Sequence, residues 1–167
     1  MSNPEESAGP AAPWPATGRI AGIDYGTVRI GIAVTDPDRR LASPWETYPR
    51  RSTTADAEYF RRLVREERLV GFVVGLPVFA SGDESPMSRE ARKFGHWLTA
   101  VTERPVVFFD ERHSSCAANE FLAQGKLTAK RRQQLRDQLA AQILLAAFLE
   151  SGQRPTNQAA ALADDAG

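Results

Sequence analysis

The sequence predicts an α/β fold in which a mixed five-stranded sheet carries helices on both faces. Three observations lead there. Apolar runs of strand length alternate with segments of helical period along residues 19–152. The first runs are separated only by short turns, so they pair antiparallel. The later runs are separated by helix-length segments, as parallel strands require.

Each element has its own signal. Residues 1–18 hold Pro4, Pro10, Pro13 and Pro15 among Ala, Ser and Glu, with Trp14 as a lone large side chain, and read as a disordered N-terminal tail. Strands follow at 19–24 and 29–35, with Gly26 supplying the turn, and a third short strand at 45–48. Thr54 caps a helix whose apolar face is Ala57, Phe60, Leu63 and Val64. A buried strand at 70–74 ends in Gly75, Leu76 and Pro77. Ser85 and Pro86 then open a helix with the stripe Met87, Ala91, Phe94, Leu98 and Val101. Another strand at 106–109 stops at Asp110, Glu111 and Arg112. A short helix is expected at 115–123, ended by Gly125, before Thr128 caps the last helix. Residues 153–167 lack periodicity and read as a disordered C-terminal tail. The folded unit is 19–152. This is the plan of an RNase H-like domain, which other α/β sandwiches share.

Composition excludes several classes. A chain of 167 residues, 42% hydrophobic, makes one domain with a real core. The longest clean apolar run, 143–149, is far short of the roughly 18 residues of a membrane helix. The start lacks the basic and apolar regions of a secretory signal. The single cysteine, Cys116, excludes an internal disulfide and a Cys-based zinc cage, and reads as a small buried residue. A soluble cytoplasmic protein is expected, with no membrane partner.

The formal net charge of zero hides acidic ends. The tails carry a small negative excess, leaving the middle at about +3. Only Lys93, Lys126 and Lys130 among 21 basic residues are lysine. Arginine forks bind phosphate well, although a GC-rich genome also yields such a bias and takes the larger share.

Acids mark the candidate chemistry. Asp24 sits where an apolar strand meets a Gly turn, as a turn former or as a functional carboxylate. Asp110 and Glu111 repeat the situation at another strand end, where α/β proteins place their sites; one of the two is expected to cap the turn. Asp137 heads a helical stripe of Ala141, Leu144 and Phe148, so its charge needs an arginine, a cap-like hydrogen bond or a metal. Beyond Leu139 the helix is apolar nearly all round and is expected to be buried. Three acids converging would resist ionising unless a cation sat among them. Mg²⁺ suits such oxygen ligands, with Mn²⁺ as the alternative, and paired ions can activate water in phosphodiester cleavage.

Basic and polar residues add possible contacts. Lys130, Arg131, Arg132 and Arg136 crowd the first turns of the last helix, where its dipole disfavours cations. They form either a solvated face or a phosphate contact. Ser81 and Gly82 offer hydroxyl and N–H groups to a phosphate, or a plain mobile loop. His113 could touch substrate, whereas His96 reads as structural or exposed.

Four segments resemble one family. Gly22-Ile-Asp24-Tyr-Gly26-Thr-Val-Arg29-Ile-Gly31-Ile-Ala-Val34 is similar to its first-strand signature, and Val74-Gly75-Leu76-Pro77 with Ser81-Gly82 to its central loop. Asp110-Glu111-Arg112 with Ser114-Ser115 resembles its D-E-R-x-S/T-S/T motif, and Asp137-Gln138-Leu-Ala140-Ala141 with Ile143-Leu144 its last-helix signature. The family is YqgF/RuvX, the pre-16S rRNA nucleases, also called Holliday junction resolvase-like proteins. The motifs occur in order and span 19–151. Val78-Phe79-Ala80 and His113 depart from its usual pattern.

The resemblance implies an RNase H-like fold and a metal-dependent acidic site. Asp24, Glu111 and Asp137 would be catalytic, and with Asp110 would hold the metal. Arg29, Ser81, Arg112, Ser114, Lys130, Arg131 and Arg132 would contact nucleic acid. The implied activity is endo- or exonucleolytic cleavage at the 5′ end of pre-16S rRNA, with ribosomal particles as partners. The alternatives are branched DNA in recombination, or a non-catalytic RNA-binding assembly factor. A nucleotide-binding module of the actin and sugar-kinase type is disfavoured, because the chain has one domain and no second Gly-rich loop. A monomer is favoured over a dimer, since the three helix stripes are all needed to cover one sheet.

Overall fold

The computed structural model describes residues 14–113 and 128–152. Five strands form one sheet: β1 (Arg19–Asp24), β2 (Arg29–Thr35), β3 (Ala42–Pro49), β4 (Leu69–Leu76) and β5 (Val106–Asp110). Their order across the sheet is β3-β2-β1-β4-β5. The first three are antiparallel neighbours, and β4 and β5 continue parallel to β1. Helices α1 (Thr53–Glu67), α2 (Pro86–Thr102) and α3 (Ala129–Glu150) and a single 3₁₀ turn (Glu111–His113) complete the described elements. The arrangement is the RNase H-like one the sequence predicts.

Strand alternation sorts the core into two layers. Ala21, Ile23, Ile30, Ile32, Phe72 and Val74 face α1 and α2, which cover them with Phe60, Leu63, Val64, Ala91, Phe94 and Leu98. Ile20, Ala33, Val73 and Phe109 face the opposite way, under Ala141, Leu144, Leu145 and Phe148 of α3. Each Val, Leu, Ile or Phe side chain so removed from water contributes about 1.5–3 kcal/mol before the entropy of ordering it. Gly22 lets α3 approach: a Cβ there would stand 2.8 Å from the Cβ of Leu145 and 3.0 Å from the Ala141 carbonyl.

Several local readings are corrected. The α1 cap is Ser52, whose hydroxyl accepts from Ala55 N at 3.1 Å, and Thr54 lies inside the helix. Thr128 caps α3 as expected, accepting from Arg131 N. Strand β3 is eight residues long, and its Pro44 and Pro49 are tolerated because it is an edge strand. Strand β4 runs through Gly75 and Leu76. Met87 is exposed and Ser88 takes the inward position on α2. Helix α3 is fully buried along one face only, so its apolar outer positions are half-buried. Gly26 does not have a left-handed φ; its lack of a Cβ instead makes room for the Arg29 carbonyl.

Trp14, assigned by sequence to the tail, packs edge-on against Phe148 at 5.8 Å between ring centroids and lies under the Arg39 guanidinium. The helix expected at 115–123, Cys116, the N-terminal tail apart from residues 14–18 and the whole C-terminal tail lie outside the described residues.

Candidate active site

The acids meet because of register and two missing side chains. Asp24 ends β1 directly across from Gly31 of β2, and both positions look toward α3. A Cβ on Gly31 would collide with the Asp137 carbonyl, so the bare glycine seats α3 with Asp137 over the end of β1. On the other side, Ile23 pairs with Val74, which brings Gly75 beside Asp24. A Cβ on Gly75 would overlap the Glu111 carboxyl and stand 2.8 Å from its Cγ. Glu111 therefore leaves β5, crosses the bare backbone of Gly75, and reaches Asp24.

Asp24 and Glu111 form a hydrogen-bonded pair of carboxyls. Burial raises Glu111 to about 8, helped by the neighbouring charge of Asp24 and then of Asp110. Burial raises Asp24 to about 6; the hydrogen bond from Glu111 acts the other way, and the Asp137 charge adds to the rise. Glu111 thus keeps the proton at neutral pH and donates it to Asp24. Two acids holding one proton is the state expected of clustered carboxylates without a nearby cation.

Asp137 is engaged differently. Its Oδ2 accepts from Arg29 Nε at 3.1 Å, so the partner its position demanded is an arginine at the start of β2. Among the described residues no three His, Cys, Asp or Glu side chains form a ready metal cage. The structure presents a close acid pair with a third acid in electrostatic reach and neutralised by Arg29. Asp110 performs the turn-capping role: Oδ1 accepts from Arg112 N at 2.9 Å and Oδ2 from Arg112 Nε at 2.7 Å. Arg112 Nη1 also donates to the Ala80 carbonyl at 3.2 Å, tying the acid-bearing turn to the loop after β4.

The remaining candidates fall in three groups. Lys130, Arg131, Arg132 and Arg136 are exposed on the first turns of α3, on the helix that carries Asp137. Ser81 donates to Asp83 at 3.0 Å and Gly82 N to the Phe79 carbonyl at 2.8 Å, so both donors are used within their own loop. Ser114 and the side chain of His113 lie outside the described residues. Gly31 and Gly75, which carve the site, were given no role by sequence reasoning. Their signal was a glycine inside an apolar strand, which marks close approach of another group.

The donor set fits a divalent cation. Asp24 and Glu111 supply adjacent oxygens whose charge is suppressed by burial first and by neighbouring carboxylates second, and hard cations such as Mg²⁺ take such ligands.

Comparison with known proteins shows the family. A protein from Rhodopirellula baltica named "Putative pre-16S rRNA nuclease" is 51% identical over 83% of this chain and 80% of its own. One from Paracoccus denitrificans with the same name is 41% identical over 81% of this chain and 86% of its own. The Fowlpox virus resolvase, solved with substrate Holliday junction DNA, shares the fold at 12% identity, with a TM-score of 0.51 over 81% of this chain and 99% of its own. The family model RuvX, described as Holliday junction resolvase, matches residues 18–151, which include every acid of the site, and the chain belongs to that family.

Proposed function

We propose that the chain is a divalent-metal-dependent nuclease that trims the 5′ end of pre-16S rRNA. At the coarser level it is a nuclease, a hydrolase acting on ester bonds, as a member of its family. The observation that carries the metal-dependent part of this reading is the Asp24–Glu111 pair, two carboxyls sharing a proton across the end of β4. Asp24, Glu111 and Asp137 would hold the metal, with Asp110 behind them. When bound, a divalent cation supplies Lewis-acid activation of water and stabilises the leaving oxygen.

The chain's own residues prepare that chemistry. Arg29 Nε donates to Asp137 Oδ2 and holds it beside the pair, and Asp110 fixes the turn that aims Glu111. The cations of α3 extend from the acids along one helix, where they would bind phosphates without reading bases. Pre-rRNA is favoured by the names of the similar proteins, with ribosomal particles as the setting. Four-way DNA junctions are the second reading, favoured by the description of the family model.

Cleavage of a 5′-extended rRNA fragment and a synthetic junction, side by side in Mg²⁺ and Mn²⁺, tests the choice. The rRNA fragment should be cut and the junction left intact. Paired symmetric junction cuts with intact RNA would reverse it.

A further inference from the structure

Across the sheet from the acids lies a cavity of about 200 Å³ that the proposed chemistry does not use. It opens between the first turn of α1 and the middle of α2, and its wall nearest the site is Tyr25. Tyr25 follows Asp24 directly, and alternation sends the two side chains to opposite faces. The cavity and the acid pair are thus one residue apart, on either side of the same strand end.

Its lining is aromatic and charge-balanced. Tyr25 and Phe94 lie 5.1 Å apart between centroids, and Phe94 and Trp97 5.5 Å. The Arg50 guanidinium sits over Tyr25 at 5.4 Å and over Phe94 at 5.7 Å, and donates to the Tyr25 hydroxyl at 3.1 Å. Arg50 also faces Asp56 at 3.6 Å, and Lys93 faces Glu90 at 3.4 Å. Two cations opposed by two carboxylates leave no net charge to attract a phosphate. What the lining offers is the half-buried rings of Tyr25 and Trp97 with Phe94 buried behind them, and a hydroxyl on Thr53, an ammonium and a carboxylate around them.

We infer that this cavity receives one unpaired nucleobase of the substrate strand, next to the phosphate presented to Asp24 and Glu111. The inference rests on the nuclease reading and narrows its substrate to strands unpaired at the cleavage point. A planar heteroaromatic ring with donors and acceptors on its edge suits walls of this kind, and base-on-aromatic stacking tolerates any base. A strand crossing the turn at Gly26 can lay a phosphate on one face and turn the adjoining base into the other. A base held in a duplex cannot make that turn without unpairing.

The test uses the full chain in EDTA, a short unstructured oligoribonucleotide and a blunt hairpin of the same length. The single strand should quench tryptophan emission, and Trp97→Phe should remove that quench while binding persists. Trp97→Ala should weaken single-strand binding about tenfold with hairpin binding unchanged. Lys93→Ala, at a side chain 76% exposed, should weaken it several-fold and guards against a folding defect in Trp97→Ala. Single-strand binding seen by anisotropy, with Trp97 emission unmoved and both alanine variants at wild-type affinity, would overturn the pocket and leave the nuclease reading standing. Equal Trp97 quenching by the hairpin would overturn it too. Failure of the single strand to bind, whatever the hairpin does, would also overturn the pocket while leaving the metal-dependent nuclease reading to the cleavage assay.

Discussion

Asp24 and Glu111 hold one proton between them, and that makes the metal-free protein sensitive to pH. Both groups have folded pKa values above their ordinary ones, to about 6 and about 8. At this pair the folded state binds more protons than the unfolded chain, so the stability the pair contributes is fully present below about pH 4 and is lost as pH rises through 8. A melting series in EDTA between pH 4 and 8.5 should show that decline, and saturating Mg²⁺ should reverse it at the alkaline end. Asp24→Asn should flatten the decline and raise the metal-free Tm at pH 8 by a few degrees, since 1 kcal/mol shifts Tm by about 2–4 °C at this size. Cleavage by that variant should drop by about a hundredfold or more. Gly75→Ala is the complementary change: its methyl would displace Glu111, so activity should fall comparably while the helices stay folded. At this scale the acids were legible because a carboxylate at the end of an apolar strand or the head of an apolar stripe is poorly explained by packing. The glycines were not, because their role depends on which element lies above them. Nor was the Arg29–Asp137 pair, which joins residues 108 positions apart.

Among the elements, α3 carries both an anchor and a phosphate-facing end. Its C-terminal half is fixed by Leu144, Leu145 and Phe148, and its path is pinned to β3 where Thr47 donates to the Gln134 carbonyl at 2.7 Å and Gln142 to the Ala42 carbonyl at 3.1 Å. The exposed Lys130, Arg131, Arg132 and Arg136 are held in place by that anchoring. Replacing Lys130 and Arg131 by Gln should weaken binding to all sequences alike and flatten the log–log salt dependence by roughly one unit per lost contact. An unchanged slope in the double variant would assign these residues to a solvated face. Arg29→Ala should lower metal-free stability by leaving the Asp137 charge uncompensated, while sparing the fold. Periodicity gave the helices and strands well, because each has one strongly apolar face. Boundaries moved where a competing signal was stronger: Pro44 and Pro49 masked the length of β3, and Ser52 outcompeted Thr54 as the cap of α1.

For the molecule as a whole, the helix stripes that could have made a symmetric interface are spent on the sheet. Phe60 and Leu63, Phe94 and Leu98, and Leu144 and Phe148 all lie in one of the two cores. Among the described residues the exposed large apolar ones, Val28, Leu41, Trp45, Phe79 and Met87, do not line one helix face. Sedimentation should therefore find a monomer, and a stable two-fold dimer would favour paired junction cuts instead. The order of strands and helices gave a mixed sheet with helices on both faces, which other α/β sandwiches share, and the four family motifs narrowed it to the RNase H-like fold. The cavity beside Tyr25 was not, because it is assembled from β1, α1 and α2 by tertiary packing. Calorimetric titration of Mg²⁺ into the wild-type chain, Asp24→Asn and Glu111→Gln tests the acid pair most directly. Wild type should bind, and each variant, folded and more stable without metal, should lose at least about tenfold in affinity. Wild-type affinity for Mg²⁺ in Asp24→Asn would contradict the assignment of the site.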